Sequence, residues 1–248
     1  MEGQTLHLGA VGDLAAVVFD LDGVITRTAG IHYAAWKALF DDFLARRAGG
    51  GAFAPFRPND YARFVDGRPR YEGVRTFLAS RGIELPDGDP ADPPGDDTVC
   101  ALGNRKNVMF REALGRLGAE VYPGSRRLLE AMRPAGLRAA LVTSSKNGRD
   151  VLKAAGLSDA FDAVIDGNDA LRHGLRGKPH PDTFVHAAGL MGLPPGRCVV
   201  IEDAVAGVQA GRAGAFRLVI GVDRGAGRRS LAEAGADVVV NDLGEIDV

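Results

Sequence analysis

The stretch VVFDLDGVIT, Val17 to Thr26, drives an apolar run straight into two carboxylates, Asp20 and Asp22, with only Leu21 between them and Gly23 behind. Further along, two more apolar runs end in polar groups, Thr143-Ser144-Ser145 after one and Glu202-Asp203 after another, and GKPHPD places Lys178 just ahead of a helical segment. Carboxylates gathered alone repel one another. A hard divalent cation with oxygen ligands, which points to Mg2+, and the Lys178 ammonium would both relieve that repulsion. A site with a metal, a lysine, a hydroxyl and an ionised carboxylate suits a phosphoryl group, whose equatorial oxygens the cations neutralise while Asp20 attacks phosphorus in line. Asp22 then serves as the acid for the leaving oxygen and the base for the next acceptor.

Such residues need a frame that brings distant segments to one place. Strand-like runs recur at AAVVF (15–19), RAALVT (138–143), DAVI (162–165), RCVVI (197–201), RLVIG (217–221) and ADVVV (236–240). Helical segments lie at 125–132, 149–155, 181–190, 205–213 and 230–234. Strands apolar on both faces and alternating with helices predict an α/β fold, a doubly wound, mostly parallel sheet covered on both sides. In that fold, ligands bind beyond the carboxyl ends of the strands, where these polar groups fall.

The alternation breaks after the first strand. HYAAWKALFDDFLARR, YEGVRTFLASRG and NRKNVMFREALGRLG each carry apolar residues at helical spacing, so residues 28–119 read as an inserted helical cap. The sheet domain then comprises 1–27 and 120–248. Two loops interrupt the insert, and LPDGDPADPPGDD is rich enough in Pro, Gly and Asp to be expected exposed and mobile.

Composition excludes several classes. With 46% hydrophobic and 25% charged residues and a formal charge of -2 over 248 residues, nothing points to nucleic acid or a membrane surface. No apolar run approaches the ~18 residues that span a bilayer, and the start, MEGQTLHLGAVGD, reads as a short tail with no basic leader. Cys100 and Cys198 lack metal-site or disulfide spacing. A cytoplasmic monomer is expected. GAVGDL precedes its strand, so it is no dinucleotide turn.

DLDGV, the hydroxyl after the second strand, GKP and ED, in that order, resemble the four motifs of the haloacid dehalogenase superfamily, and the insert resembles its α-helical cap. The resemblance implies that Asp20 forms an aspartyl-phosphate, Thr143 holds a phosphoryl oxygen and Lys178 bridges phosphate and nucleophile. It also implies that Asp203 binds magnesium with Asp20 and the Asp22 carbonyl, and that Glu202 is a ligand or supports one. A receiver-type module shares several of these groups, but it has neither the acidic pair after the lysine nor room for so large an insert.

Within that superfamily VITRTAGIHYAAWKALF, DGRPRYEGV, GNRKN and LVTSSKNG resemble the β-phosphoglucomutase-like family. That implies a sugar phosphate substrate, with His32 and Trp36 coupling cap and sugar to Asp22, Lys106 reaching the sugar, Arg70 clamping the non-reacting phosphate, and Ser145 and Asn147 holding it from the sheet domain. Arg68 is a rival for the clamp, and Arg105 for Lys106. A sugar-phosphate phosphatase with water as acceptor is the alternative. Thr143 stands where serine is common, which keeps the hydroxyl; Arg27 stands where an acid is frequent, which leaves the sugar open.

Overall fold

The computed structural model describes residues 5–248, so the first four residues of the expected tail lie outside it. The chain divides into two compact units, Thr28–Gly118 and Met1–Arg27 with Ala119–Val248. The second junction falls one residue before the 119/120 boundary expected from sequence.

The inserted unit is helical: α1 (Ala29–Arg47), α2 (Pro58–Phe64), α3 (Arg70–Ser80) and α4 (Val99–Leu117). Aromatic side chains fill its centre, with Phe40 4.1 Å from Phe77 and 5.2 Å from Phe56, all three fully buried. Each such ring contributes about 1.5–3 kcal/mol relative to exposure. Helix α4 begins five residues ahead of the expected segment because Thr98 caps it, its Oγ1 accepting the Ala101 N–H at 2.9 Å.

The loop between α3 and α4 corrects an expectation. It is exposed, yet it is tied down rather than loose. Asp92 Oδ2 accepts from Thr98 Oγ1 at 2.7 Å and from the Asp89 N–H at 3.1 Å, Asp89 Oδ1 accepts the Ala91 N–H at 2.8 Å, and Arg75 donates to Asp87 at 2.7 Å. Aspartates that bracket their own backbone order a segment that composition alone reads as free.

The other unit is a six-stranded sheet of β2 (Ala16–Phe19), β3 (Arg138–Val142), β4 (Ala163–Ile165), β5 (Cys198–Glu202), β6 (Leu218–Val222) and β7 (Val238–Val240), in the order β4-β3-β2-β5-β6-β7. All pairings are parallel, and Val17 sits between Ala139 and Val199 in register. Helices α5 (Pro123–Met132), α6 (Gly148–Ala154), α7 (Gly167–Arg172), α8 (Asp182–Leu190), α9 (Val205–Ala213) and α10 (Arg228–Ala234) make the crossovers. Phe184, Ala187 and Ala188 of α8 pack with Val18, Val142 and Val200, and farther along the same face Val208 of α9 and Leu231 of α10 pack on Val219. The part of the supposed tail that is described is paired: β1 (Leu6–His7) lies parallel to β8 (Ile246–Asp247), with Leu8 fully buried.

Strand order reverses between β2 and β5. In a doubly wound sheet the crevice opens at that point, so the residues leaving β2 and β5 are the ones positioned for chemistry.

Candidate active site

Asp20 is the first residue past β2 and remains tied to the ladder, its N–H donating to the Ile201 carbonyl at 3.0 Å. The chain then turns back on itself. Ile25 and Thr26 N–H groups both donate to the Leu21 carbonyl at 2.9 Å, and the Gly23 N–H donates to the Thr26 carbonyl at 2.8 Å. Gly23 has φ of +89°, and a Cβ there would lie 1.9 Å from Asp203 Oδ2. Only glycine lets the Asp20–Gly23 turn and the Asp203 carboxylate come so close.

Lys178 joins the other ends. Its Nζ donates to Asp20 Oδ1 and Glu202 Oε1, lies 3.5 Å from the Val142 carbonyl and sits 4.9 Å over the Phe184 ring. Its side chain is 1% exposed, so the ammonium exists there only because carboxylates surround it. Burial alone would lower the Lys178 ammonium, but Asp20 and Glu202 overrule it and hold the group above its ordinary value. Asp20 shows the other side of the same arrangement. Burial pushes its carboxyl well above the usual carboxylate range, Lys178 pulls it back, and Glu202 and Asp22 push it higher still. Two carboxylates share one ammonium, and Asp20 is the surplus one.

That surplus bears on magnesium. The donors near Asp20 are oxygens, Asp20 and Asp203 are buried, and the one Lys178 ammonium is shared between Asp20 and Glu202, which fits a hard divalent cation. Among the described residues no three His, Cys, Asp or Glu side chains form a ready metal cage. A cation there would draw on few protein ligands, as magnesium commonly does. Glu202, expected from sequence as a ligand or a support for one, accepts from Lys178 at Oε1 and from the Ala204 N–H at Oε2, the latter at 2.8 Å.

Thr143, Ser145 and Asn147 share one turn after β3. The Ser145 N–H donates to Thr143 Oγ1 and the Asn147 N–H to Ser145 Oγ, each at 3.1 Å. Thr143 directly follows Val142, whose carbonyl faces Lys178, so this turn belongs to the same strand-end cluster.

Within the helical unit the expected residues form two groups, His32 and Trp36 of α1 with Lys106 of α4, and Arg70 of α3 against α4. Lys106 lies with Nζ 2.6 Å from His32 Nδ1, over the rings of Trp36 at 4.9 Å and Phe110 at 4.8 Å, while His32 stacks on Phe110 at 3.9 Å. A Lys106 ammonium can only donate, so opposite it His32 Nδ1 is the acceptor. Trp36, expected near the sugar, is a core residue 4% exposed, stacked on Phe40 and lying under Lys106. Arg105, the rival of Lys106, is committed to Asp42 and Asp96.

Arg70, the first residue of α3, makes the second group. Its guanidinium donates to Asn107 Oδ1 at 2.8 Å and lies 3.5 Å from Asn104 Oδ1. Burial lowers its proton affinity, with Tyr71 opposing. Both hydrogen-bond partners are neutral amides. The half-buried guanidinium is thus held by amides rather than by a carboxylate.

A profile of haloacid dehalogenase-like hydrolases matches residues 14–214. A β-phosphoglucomutase of Mycobacterium tuberculosis is 50% identical over 251 residues, covering 99% of this chain and 96% of its own. The chain belongs to the haloacid dehalogenase-like family. It falls in the β-phosphoglucomutase-like branch of that family, for a β-phosphoglucomutase of Bacillus subtilis is 32% identical over 94% of this chain and 92% of its own. A crystal structure of a Clostridium difficile β-phosphoglucomutase superposes with a TM-score of 0.74 at 26% identity, over 94% of this chain and 92% of that one. The haloacid dehalogenase-like sheet and helical insert are thus those the motifs imply. Sequence reasoning singled out neither Arg224, which carries no motif, nor Asn104 within GNRKN, because their contacts are with residues distant along the chain.

Proposed function

We propose that this protein is a β-phosphoglucomutase, moving a phosphoryl group between the C1 and C6 oxygens of glucose through an aspartyl-phosphate and glucose 1,6-bisphosphate. The observation that carries the chemistry is the buried cluster in which Lys178 grips Asp20 and Glu202 at the point where strand order reverses. The observation that favours a mutase is the carboxylate-free guanidinium of Arg70, a second place for a phosphate.

In this reading an Asp20 oxygen attacks phosphorus of the bisphosphate, the bond from phosphorus to the sugar oxygen breaks, and Asp22 gives that oxygen a proton. The sugar monophosphate rebinds the other way round. Asp22 takes the proton of the incoming hydroxyl, which attacks the aspartyl-phosphate and restores Asp20. Lys178 and Thr143 hold the oxygens of the phosphoryl group, and Lys178 keeps Asp20 oriented, with Glu202 fixing the lysine. Asp20, Asp203 and the Asp22 carbonyl would hold Mg2+, which supplies charge neutralisation for the carboxylate's approach to phosphate. His32 and Lys106 meet the sugar, and Arg70, Ser145 and Asn147 receive the distal phosphate.

Two free cysteines, both buried, suit a reducing compartment, and we take the enzyme to act in the cytoplasm as a monomer on a small sugar phosphate. The test is direct. With β-glucose 1-phosphate, magnesium and a trace of the bisphosphate, glucose 6-phosphate accumulates with little free phosphate. Mainly inorganic phosphate would instead make the protein a sugar-phosphate phosphatase, the reading closest to the hydrolase description of its family.

A further inference from the structure

The amide of Asn104 stands between the α3–α4 loop and Arg70. Its Nδ2 donates to the Pro90 carbonyl at 3.1 Å and the Asp92 carbonyl at 2.9 Å; its Oδ1 accepts from Tyr71 OH at 2.9 Å and faces Arg70 Nη1 at 3.5 Å. The chemistry allows only this orientation. Backbone carbonyls can only accept and a guanidinium can only donate, so the amide nitrogen must face the loop and the oxygen must face Arg70.

The surroundings make that amide a fixed point. Asn104 and Asn107 are three residues apart on α4 and therefore share a face. Gly103 beside them leaves the space into which Tyr71 packs: a Cβ there would meet its ring at 2.8 Å and Arg70 Cδ at 3.3 Å. The loop that holds the nitrogen is itself anchored, for Asp92 binds Thr98 Oγ1 and the same hydroxyl caps α4. Loop, helix start and amide form one connected bracket.

We infer that Asn104 is a positioning residue, which transmits the anchorage of the α3–α4 loop to Arg70 and fixes the guanidinium for the second phosphate. This rests on Arg70 being the group that receives that phosphate. The Pro, Gly and Asp richness of the loop then has a purpose beyond connection: its turn at 89–92 presents two carbonyls to one amide.

The test compares Asn104→Ala, the isosteric Asn104→Asp and Arg70→Ala, each alone and Asn104→Ala also in the Arg70→Ala background. Steady-state mutase kinetics are read with glucose 1,6-bisphosphate, alongside hydrolysis of p-nitrophenyl phosphate, which carries one phosphate and no use for Arg70. Asn104→Ala should raise KM for the bisphosphate roughly tenfold with kcat within about twofold. Asn104→Asp, which places an anion beside the guanidinium, should raise it further. Hydrolysis of p-nitrophenyl phosphate should be unchanged, and Asn104→Ala should add nothing once Arg70 is gone. If Arg70→Ala raises KM while both Asn104 variants leave it at the native value, the inference falls and the Arg70 reading stands. An equal loss from Asn104→Ala with or without Arg70, or a parallel loss of p-nitrophenyl phosphate hydrolysis, marks a merely structural residue and also overturns it. Should Arg70→Ala leave KM unchanged, the reading of Arg70 itself fails.

Discussion

Arg224 donates from Nε to the carbonyl of Gly23 at 3.0 Å, across two hundred residues of chain. The same guanidinium donates to the Asn241 carbonyl at 2.8 Å and to Asp242 at 3.0 Å, and it lies flat against Tyr122 with 3.8 Å to the ring centroid. The turn that carries Asp22 is thus clamped from behind by a planar fork no lysine can imitate. Arg224→Lys and Arg224→Ala should each lower kcat about tenfold. Steady-state rates with glucose 1-phosphate and thermal melts check this, the expected Tm loss being a few degrees.

Lys178 and Asp20 should respond in opposite senses. Lys178→Met leaves two buried carboxylates facing each other and should cost about 3–5 kcal/mol, besides abolishing turnover. Asp20→Asn removes the surplus carboxylate and keeps the Lys178–Glu202 pair, so it should be inactive yet at least as stable as the native protein. Urea unfolding of both variants measures the difference.

Gly23→Ala forces a side chain into a left-handed backbone and against Asp203. At least about 1–2 kcal/mol of backbone cost is expected, with a larger loss of activity because the turn must move. A native-like rate from this variant would show that Asp203 and the turn need not be in contact.

Acid should act through carboxylates outside the active site. Arg176 holds the Asp182 carboxyl down to about 2. Burial would raise Asp169 and Asp242, but backbone N–H donors and Arg149 or Arg224 outweigh it and hold both below the ordinary range. A depressed folded-state pKa contributes stability that is complete above the unfolded value of about 4 and is lost as pH falls through the folded one. The Tm should therefore be insensitive to these groups at neutral pH and drop between about pH 4 and 2. Asp169→Asn should flatten that drop.

The sheet was legible because its strands are short, apolar on both faces and separated by helical patterns, and the four strand-end motifs lie where the topology puts function. The short α7 was not, because six residues carry no period; it exists through Asp166, whose carboxylate accepts the N–H groups of Asn168 and Asp169. Helix α2 escaped notice for the same reason, starting at Pro58 with Asp60 bonded back to the Arg57 N–H at 2.9 Å. The pairing of β1 with β8 depends on the far end of the chain and leaves no local sign. Residue types told that Lys178 belongs with the carboxylates, but not that Glu202 would accept from both Lys178 and the Ala204 N–H.

The middle position of β2 has a consequence for biosynthesis. Its neighbours, β3 and β5, begin at Arg138 and Cys198, so the segment ending at Asp20 leaves the ribosome with both edges bare. It gains its second partner only after some two hundred residues have been made. Contacts of such long sequence separation form slowly, and a chain halted before Cys198 would display an unpaired hydrophobic edge beside Asp20 that other chains could template upon.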